Sequence, residues 1–355
     1  MSHCRVLIFG ASYGSLLATK LALAGHDAMM VCLPHEVEAF NANGAIVRMP
    51  ARDVDGLIEV NSKQLKGKVT ACSPSEANPS DYDLVVLAMQ EPQYSAPEIG
   101  DLLARVATAK RPCMSIMNMP PLTYLSRIPG LDTKALRGCY LSPEIWDHLD
   151  PNLMTLCSPD PQAFRPPEED VNVLQVRLPT NFKSARFADD QHTAMLRDLE
   201  GDIEAARFSN DDHQDLALPV KLRIHDSVFV PLAKWAMLMA GNYRCVQTDA
   251  MRPIKEAVHH DLDVSRGVYE WVVHLCIKMG GDADDFVPFE KYANAAQSLA
   301  SPSSAARALA AGAKNIERVD KLVQAIGKSF GEQNDEVDQS VALVDMWLEK
   351  NRSAS

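Results

Sequence analysis

The chain has 355 residues and a formal net charge of −12, with 46% apolar and 23% charged residues. The length suffices for two domains, and the composition is that of a globular protein. The acidic balance argues against a nucleic-acid surface, which needs clustered Lys and Arg. No apolar run approaches the roughly 20 residues of a membrane-spanning helix. The first residues enter a strand at once, so we expect no cleavable signal peptide and a cytoplasmic protein.

Short apolar strands alternate with helical patterns up to about Phe208, which predicts a mostly parallel sheet. The predicted strands cover 6–9, 28–33, 84–89, 113–117, 139–141 and 173–178. A polar segment from Ser209 predicts a domain boundary. Beyond it, strand signals nearly vanish, and helices are predicted over 228–248, 253–279, 304–330 and 335–350. We therefore expect a Rossmann-type doubly wound α/β domain over 1–210 and an all-α domain over 220–355.

The turn after the first strand is typical of a dinucleotide site, although it departs from the Gly-x-Gly-x-x-Gly pattern. Gly10 keeps the first glycine, which permits the sharp turn, whereas Ser12 and Ser15 replace the second and third. Tyr13 and Gly14 complete the loop. Backbone N–H groups at a helix N-terminus bind phosphate whatever the side chains are. The turn therefore predicts a nucleotide site, and a plain strand–turn–helix is the alternative.

No metal or redox pair is evident in the sequence. The eight cysteines are too widely spaced for a Cys-x-x-Cys motif, and we expect them to be reduced. The adjacent His259 and His260 point to different sides of a helix, which is typical of a solvated face.

Several stretches together resemble the ketopantoate reductase (PanE/ApbA) family. "DLVVLAMQEPQYSAPEIGDLL" is similar to its fourth strand, and "PCMSIMNMPPL" to the strand that ends in Gln-Asn-Gly. "PLAKWAMLMAGNYRC" resembles the helix that carries the catalytic lysine. The resemblance implies that Gln93 and Asn118 contact the cofactor, that Asn118 and Asn242 contact the substrate, and that Lys234 is catalytic. It implies NAD(P)H-dependent reduction of a 2-oxo acid in a cleft between two domains.

Lys234 also stands out without the resemblance. It is a lone cation among Leu232, Ala233, Trp235 and Ala236, one turn into a helix that Pro231 begins. In an α-helix it would share a face with Asn242. A lysine near a carbonyl oxygen can donate a proton or stabilise the developing alkoxide. The alternative is a lysine whose stem extends to solvent.

The chain departs from the family pattern at the cofactor and at the substrate. Leu33 stands where the family has an arginine that reads the 2′-phosphate of NADP, so the choice between NADP and NAD stays open. Alignment places Asn315 where the family has a substrate-binding glutamate, and Ser303 matches an upstream serine. Glu317 could be recruited, but a helical step of two residues would point it about 200° away. We therefore expect a substrate other than ketopantoate.

Two alternatives remain open at this stage. An opine-type dehydrogenase would use a His/Asp pair, for which His225 and Asp226 are the only nearby candidates. A dinucleotide-binding sensor without catalysis would explain the altered glycines, but it would have no need for Lys234. Apolar helices in the second domain make a homodimer plausible.

Overall fold

The computed structural model describes residues 3–52, 54–211 and 214–354. The contacts divide the chain into two compact units that are discontinuous in sequence. Unit 1 comprises 1–89, 93–117 and 144–226, and unit 2 comprises 90–92, 118–143 and 227–355. The sequence-based boundary at 210–220 remains a prediction, and these units divide the chain elsewhere, at Asp226 and within the first half.

The strands all belong to unit 1. They are β1 (Arg5–Phe9), β2 (Asp27–Val31), β3 (Ile46–Pro50), β4 (Leu57–Asn61), β5 (Val69–Cys72), β6 (Leu84–Leu87), β7 (Cys113–Ile116), β8 (Met154–Ser158), β9 (Gln162–Phe164), β10 (Val173–Leu178), β11 (Phe182–Ala185) and β12 (Leu222–His225).

The α-helices occur in both units. They are α1 (Ser12–Ala24), α2 (Pro34–Asn43), α3 (Pro97–Thr108), α4 (Leu122–Leu125), α5 (Thr133–Leu136), α6 (Asp190–Ala205), α7 (Lys234–Met237), α8 (Ile254–His259), α9 (Leu262–Lys278), α10 (Phe289–Ala296), α11 (Ser304–Ala310), α12 (Val319–Ser329) and α13 (Asp335–Ser353). Short 3₁₀ turns span Ser62–Gln64, Pro79–Asp81, Glu91–Ser95, Arg137–Cys139, Pro143–Trp146, Pro151–Leu153, Val230–Ala233, Tyr243–Cys245 and Ala283–Asp285. No helix of the described chain is long and apolar enough to cross a membrane.

The main sheet of unit 1 has the strand order β12–β11–β8–β7–β6–β1–β2–β5. All neighbours are parallel except β8 and β11. The chain winds outward from β1 on both sides, so the topological switch point lies between β1 and β6. The predicted Rossmann-type doubly wound domain is therefore confirmed.

A second sheet in unit 1, of order β4–β3–β10–β9, was only partly visible in the sequence. The predicted strand at 173–178 forms β10, which pairs with β3 and β9 rather than joining the main sheet. Both sheets and α1 contribute to one apolar core, in which Val6, Ile8, Leu17 and Val47 are fully buried. Helix α1 ends where expected, because Gly25 adopts a left-handed φ of 95°.

Unit 2 is helical, as predicted, but three predicted elements are wrong. The strand at 139–141 is the end of a 3₁₀ turn followed by extended chain. The predicted helix over 253–279 breaks into α8 and α9, because the side chain of Asp261 caps a new helix. The predicted helix over 304–330 ends at Ala310, where Gly312 adopts a φ of 88°, and 311–318 is not helical.

The helical run over 230–245 is continuous but not uniform. It begins with the 3₁₀ turn at Pro231, passes through α7 and then forms a π-helical turn over Leu238–Asn242. A π turn closes i→i+5 hydrogen bonds and commonly occurs at functional sites. Because of this turn, the shared face predicted for Lys234 and Asn242 from α-helical spacing does not apply.

Candidate functional site

The turn at the switch point needs a glycine at Gly10. Its φ is 91°, and an added Cβ would lie 2.9 Å from the Ala88 carbonyl oxygen at the end of β6. The same Cβ would come within 2.6 Å of the Met89 side chain. The turn therefore packs directly against the end of β6, and only a glycine fits at this first position of the dinucleotide fingerprint.

Gly14, not Ser15, allows α1 to pack closely on the sheet. A Cβ on Gly14 would meet the Ile8 side chain at 2.8 Å. Ser15 is buried, and its hydroxyl donates to the Ser12 carbonyl oxygen at 2.9 Å, so it offers no donor to a ligand. The close-packing role of the third fingerprint glycine is thus moved by one residue.

The N-terminus of α1 is open to an anion. Ala11 provides no side-chain cap, and the first turn of this helix contains no acidic residue. Its first N–H groups therefore keep the positive end of the helix dipole uncompensated. With Gly10 and Gly14, these features fit a bound dinucleotide. Of the other predicted cofactor residues, Tyr13 is half-buried beside Ser12 and Gln93 is exposed after β6.

A second cluster of polar groups lies within unit 2, around Asn118. Its backbone oxygen accepts a hydrogen bond from Trp235 Nε1 at 3.0 Å, and its Nδ2 lies 3.4 Å from Glu317 Oε2. The buried Oδ1 of Asn118 finds no hydrogen-bond partner among the described residues. The cluster thus holds the amide in place and leaves one acceptor unsatisfied.

Glu317 is the buried acid of this cluster. Burial raises its pKa to about 7, and the hydrogen bond from Asn118 is the largest of the opposing effects. The Glu91 N–H, at 3.4 Å from Oε1, also lowers this pKa, and so does the positive charge of Lys234. Lys234 is half-buried. Asn118 and Lys234 therefore both lower the pKa of Glu317, which burial raises to about 7.

Glu91 is a site residue that the sequence analysis missed. It is 2% exposed, and burial raises its pKa to about 7, while hydrogen bonds from the backbone of Leu141 and Ser142 oppose the rise. Its charge also raises the pKa of Glu317. A carboxylate four residues after the buried strand β6, at the start of the next turn, was the signal that could have identified it.

Glu317 is positioned by contacts on both sides along the chain. The Tyr243 hydroxyl donates to the Glu317 carbonyl oxygen at 2.6 Å and accepts from Val319 N–H at 3.1 Å. Arg318 forms two hydrogen bonds of 3.0 Å to the buried carboxylate of Asp320. These contacts fix the non-helical segment that precedes α12.

Ser303 contacts the backbone of Asn242 and not its side-chain amide. Ser303 Oγ donates to the Asn242 carbonyl oxygen at 2.7 Å and accepts from Ala306 N–H at 3.2 Å as the N-cap of α11. Ser303 is 2% exposed. Its hydroxyl therefore links the π-helical turn to α11, and Asn242 itself is half-buried.

The structure does not bring Asn315 to the cluster. Asn315 is exposed, and its Oδ1 accepts from Arg352 at 3.0 Å. The 200° argument against Glu317 assumed a helix, but 311–318 is not helical, so that argument is wrong. The expectation of a substrate other than ketopantoate depended on that argument, so it no longer has support.

Asp226 of the His225–Asp226 pair is engaged on the surface. Asp226 Oδ1 accepts from Arg197 at 2.6 Å in an ion pair whose two side chains are more than half exposed. His225 lies at the end of β12 in unit 1. The carboxylate proposed for an opine-type enzyme is therefore engaged in a surface ion pair.

No protein-family model matches the chain, and no curated protein matches it significantly. Solved structures do match along nearly its whole length. A PanE/ApbA family ketopantoate reductase from Ralstonia eutropha JMP134 is 18% identical, with a TM-score of 0.64 over 98% of this chain and 99% of that one. A 2-dehydropantoate 2-reductase from Methylococcus capsulatus is 12% identical, with a TM-score of 0.66 over 98% and 97%.

A structure of D-mandelate dehydrogenase with NADH and anilino(oxo)acetate is similar to the same extent. It is 13% identical to this chain, with a TM-score of 0.65 over 98% of this chain and 99% of that one. At these identities the likeness concerns the fold. The chain therefore has the fold of the ketopantoate reductases and of D-mandelate dehydrogenase, and the resemblance predicted from its sequence is confirmed at that level.

Proposed function

We propose that this protein is an NAD(P)H-dependent reductase of a small 2-oxo acid or a similar carbonyl compound. The observation that carries the proposal is the cluster in unit 2 in which Lys234 and Asn118 both act on Glu317, a buried acid of raised pKa, while Oδ1 of Asn118 has no hydrogen-bond partner among the described residues. The turn around Gly10, with the open N-terminus of α1, supports the dinucleotide.

A reduced dinucleotide held by the turn at Gly10 and the N-terminus of α1 would supply the hydride that a carbonyl reduction needs. Lys234 donates a proton to the carbonyl oxygen or stabilises its developing charge, since a lysine ammonium is both a cation and a donor. Asn118 offers its amide to the substrate, and Asn242 helps to hold it. Glu317 is largely protonated below about pH 7, so it does not repel an anionic 2-oxo acid there.

The test is steady-state consumption of NADH and NADPH with a panel of 2-oxo acids, followed by the Lys234→Ala variant. We expect kcat/KM to fall by about 10²- to 10⁴-fold, the range of general acid–base catalysis, with dinucleotide affinity unchanged. Lys278→Ala is a matched control, because Lys278 is a half-exposed lysine of α9 paired with Glu332 at 2.6 Å.

A loss of less than threefold in Lys234→Ala would remove this residue from the mechanism. Dinucleotide binding without turnover of any 2-oxo acid would instead favour a sensor.

A further inference from the structure

The carboxyl end of β2 carries an internal ion pair between Glu36 and Arg165. Glu36 Oε2 accepts from the Leu33 N–H at 2.9 Å, and Oε1 accepts from Arg165 Nη1 at 2.5 Å. Glu36 is 7% exposed, whereas the Leu33 side chain is 59% exposed and offers no polar group. In a Rossmann fold this strand end faces the adenosine ribose of the dinucleotide.

The charges of Glu36 and Arg165 both act on Cys32, the residue that follows β2. Burial is the main cause that raises the pKa of the Cys32 thiol to about 12, and the charge of Glu36 raises it further. Arg165 opposes this rise. Since Cys32 directly follows β2, the ion pair lies where the strand leads into α2.

The pair balances the charge of Arg165 with that of Glu36, although Nη2 of Arg165 has no hydrogen-bond partner among the described residues. The carboxylate of Glu36 already occupies the N-terminus of α2, where a phosphate would otherwise gain from the helix dipole. Arg165 is neutralised by the same carboxylate, whereas a phosphate monoester would bring a charge of about −1.5 to −2.

Two other arginines of unit 1 have partners of their own. Arg48 pairs with Glu59 at 2.7 Å and with Glu169 at 2.6 Å. Arg105 donates to the backbone oxygens of Pro74 and Ala77 in the segment after β5.

We propose that the Glu36–Arg165 ion pair makes this protein prefer NADH to NADPH. The inference rests on the proposed function for the presence of a dinucleotide. A neutral ribose diol can donate a hydrogen bond to the lone pairs that remain on the Glu36 carboxylate. A 2′-phosphate meets that carboxylate as a like charge, and its natural counter-ion, Arg165, is already paired.

Fluorescence titration of the dissociation constants for NADH and NADPH tests the inference, because it measures binding rather than activity. We expect the unmodified protein to bind NADH at least about tenfold more tightly. Glu36→Gln keeps the hydrogen bonds but frees the charge of Arg165, so the preference should shift toward NADPH by about tenfold or more. Arg165→Ala leaves Glu36 uncompensated and should shift it further toward NADH.

Arg48→Ala is the matched control, because it also breaks an arginine–glutamate pair of unit 1, and it should leave the ratio of the two constants unchanged. Thermal unfolding of each variant verifies that it is folded. A preference of the unmodified protein for NADPH, or shifts of the two variants in the same direction, would overturn the inference.

The outcomes also separate the inference from the proposed function. Binding of neither nucleotide contradicts both. Opposite shifts in a protein that reduces no 2-oxo acid support the ion-pair inference and contradict the proposed function.

Discussion

Ser12, in the first turn of α1, is the position where a charge would most directly change the affinity of this helix N-terminus for an anion. Ser12 is exposed and begins the helix, and neither an acidic side chain nor a side-chain cap accompanies it. Helix N-termini that lack a ligand are commonly stabilised by acidic residues in this turn. If these N–H groups bind a phosphate, an acidic residue in this turn would repel it, which explains why none is present.

Ser12→Asp should therefore have effects of opposite sign on stability and on binding. The new carboxylate meets the positive end of the helix dipole, so we expect the free energy of unfolding to rise by about 0.3–1 kcal/mol. The same charge repels the pyrophosphate, so dinucleotide affinity should fall by tenfold or more, roughly 1.4 kcal/mol. Thermal unfolding and fluorescence titration measure the two effects. Ser12→Asn, which adds no charge, is the control.

If the turn has only a structural role, Ser12→Asp should raise the free energy of unfolding and leave the nucleotide affinity unchanged. That result would contradict the dinucleotide site.

The sequence predicts some residues of the candidate site, but it does not predict which distant residues contact them. Lys234 and Asn118 stand out as polar residues in apolar stretches, and both act on Glu317 in the structure. Glu91 and Glu317 come together from positions 226 residues apart, a contact that no local pattern encodes. Alignment favoured Asn315, and helical geometry was taken to direct Glu317 away, but the segment 311–318 is not helical.

The π-helical turn is held by close packing at Gly241. A Cβ there would lie 2.1 Å from the Tyr292 hydroxyl and 3.1 Å from the Val258 side chain. That hydroxyl donates to the Met237 carbonyl oxygen at 3.0 Å, and Tyr292 also stacks on Tyr269 with ring centroids 5.5 Å apart. The glycine thus lets α10 support the turn that carries Asn242.

Two glycine-to-alanine substitutions in unit 2 should change stability in opposite directions. Gly241→Ala displaces Tyr292, and we expect a loss of about 1–3 kcal/mol in the free energy of unfolding, as for an overpacked core. Gly267→Ala lies on the exposed face of α9 with nothing within 4 Å of the new Cβ. It should gain about 0.5–1 kcal/mol, because alanine favours a helix interior.

Chemical denaturation at fixed pH measures both changes. Equal stabilities of Gly241→Ala and the unmodified protein would show that the turn tolerates a side chain.

Elements with strong apolar periodicity could be predicted from the sequence, and those fixed by tertiary pairing could not. The strands β1 and β6 contain continuous apolar runs over 6–9 and 84–87. The strands β3 and β4 are not among the predicted strands, although buried residues alternate along both, and they find their partners in a second sheet. The π turn has no signal in the sequence, since it depends on what packs against Gly241.

The two buried glutamates of unit 2 should make the stability of the whole protein depend on pH. The pKa values of Glu91 and Glu317 are both raised from 4.5 to about 7, mainly by burial. Between these values the native state holds more protons than the unfolded state, so their contribution to the free energy of unfolding decreases as pH rises from about 4.5 to about 7. This contribution to the free energy of unfolding is fully present below about pH 4.5 and is lost above about pH 7.

Glu91→Gln should flatten this dependence. Glutamine keeps an acceptor for the Leu141 N–H, which lies 3.0 Å from the carboxylate, but it carries no charge to desolvate. We expect the unmodified protein to lose up to about 3 kcal/mol more than the variant between pH 5 and pH 8. Urea unfolding at several pH values measures the difference.

The exposed Glu349→Gln is the control for the pH experiment and should leave the dependence unchanged. Parallel curves for Glu91→Gln and the unmodified protein would contradict the assignment of a raised pKa to Glu91.

The division of the chain into interleaved units has a consequence for how it can be recombined. Unit 2 takes 90–92 and 118–143 from the first half of the chain and 227–355 from the second. A single genetic crossover near codon 215 would combine Glu91 and Asn118 of one parent with Lys234 and Glu317 of the other. A single crossover therefore cannot transplant this site intact, and a chimera that keeps it must inherit all three segments from the same parent.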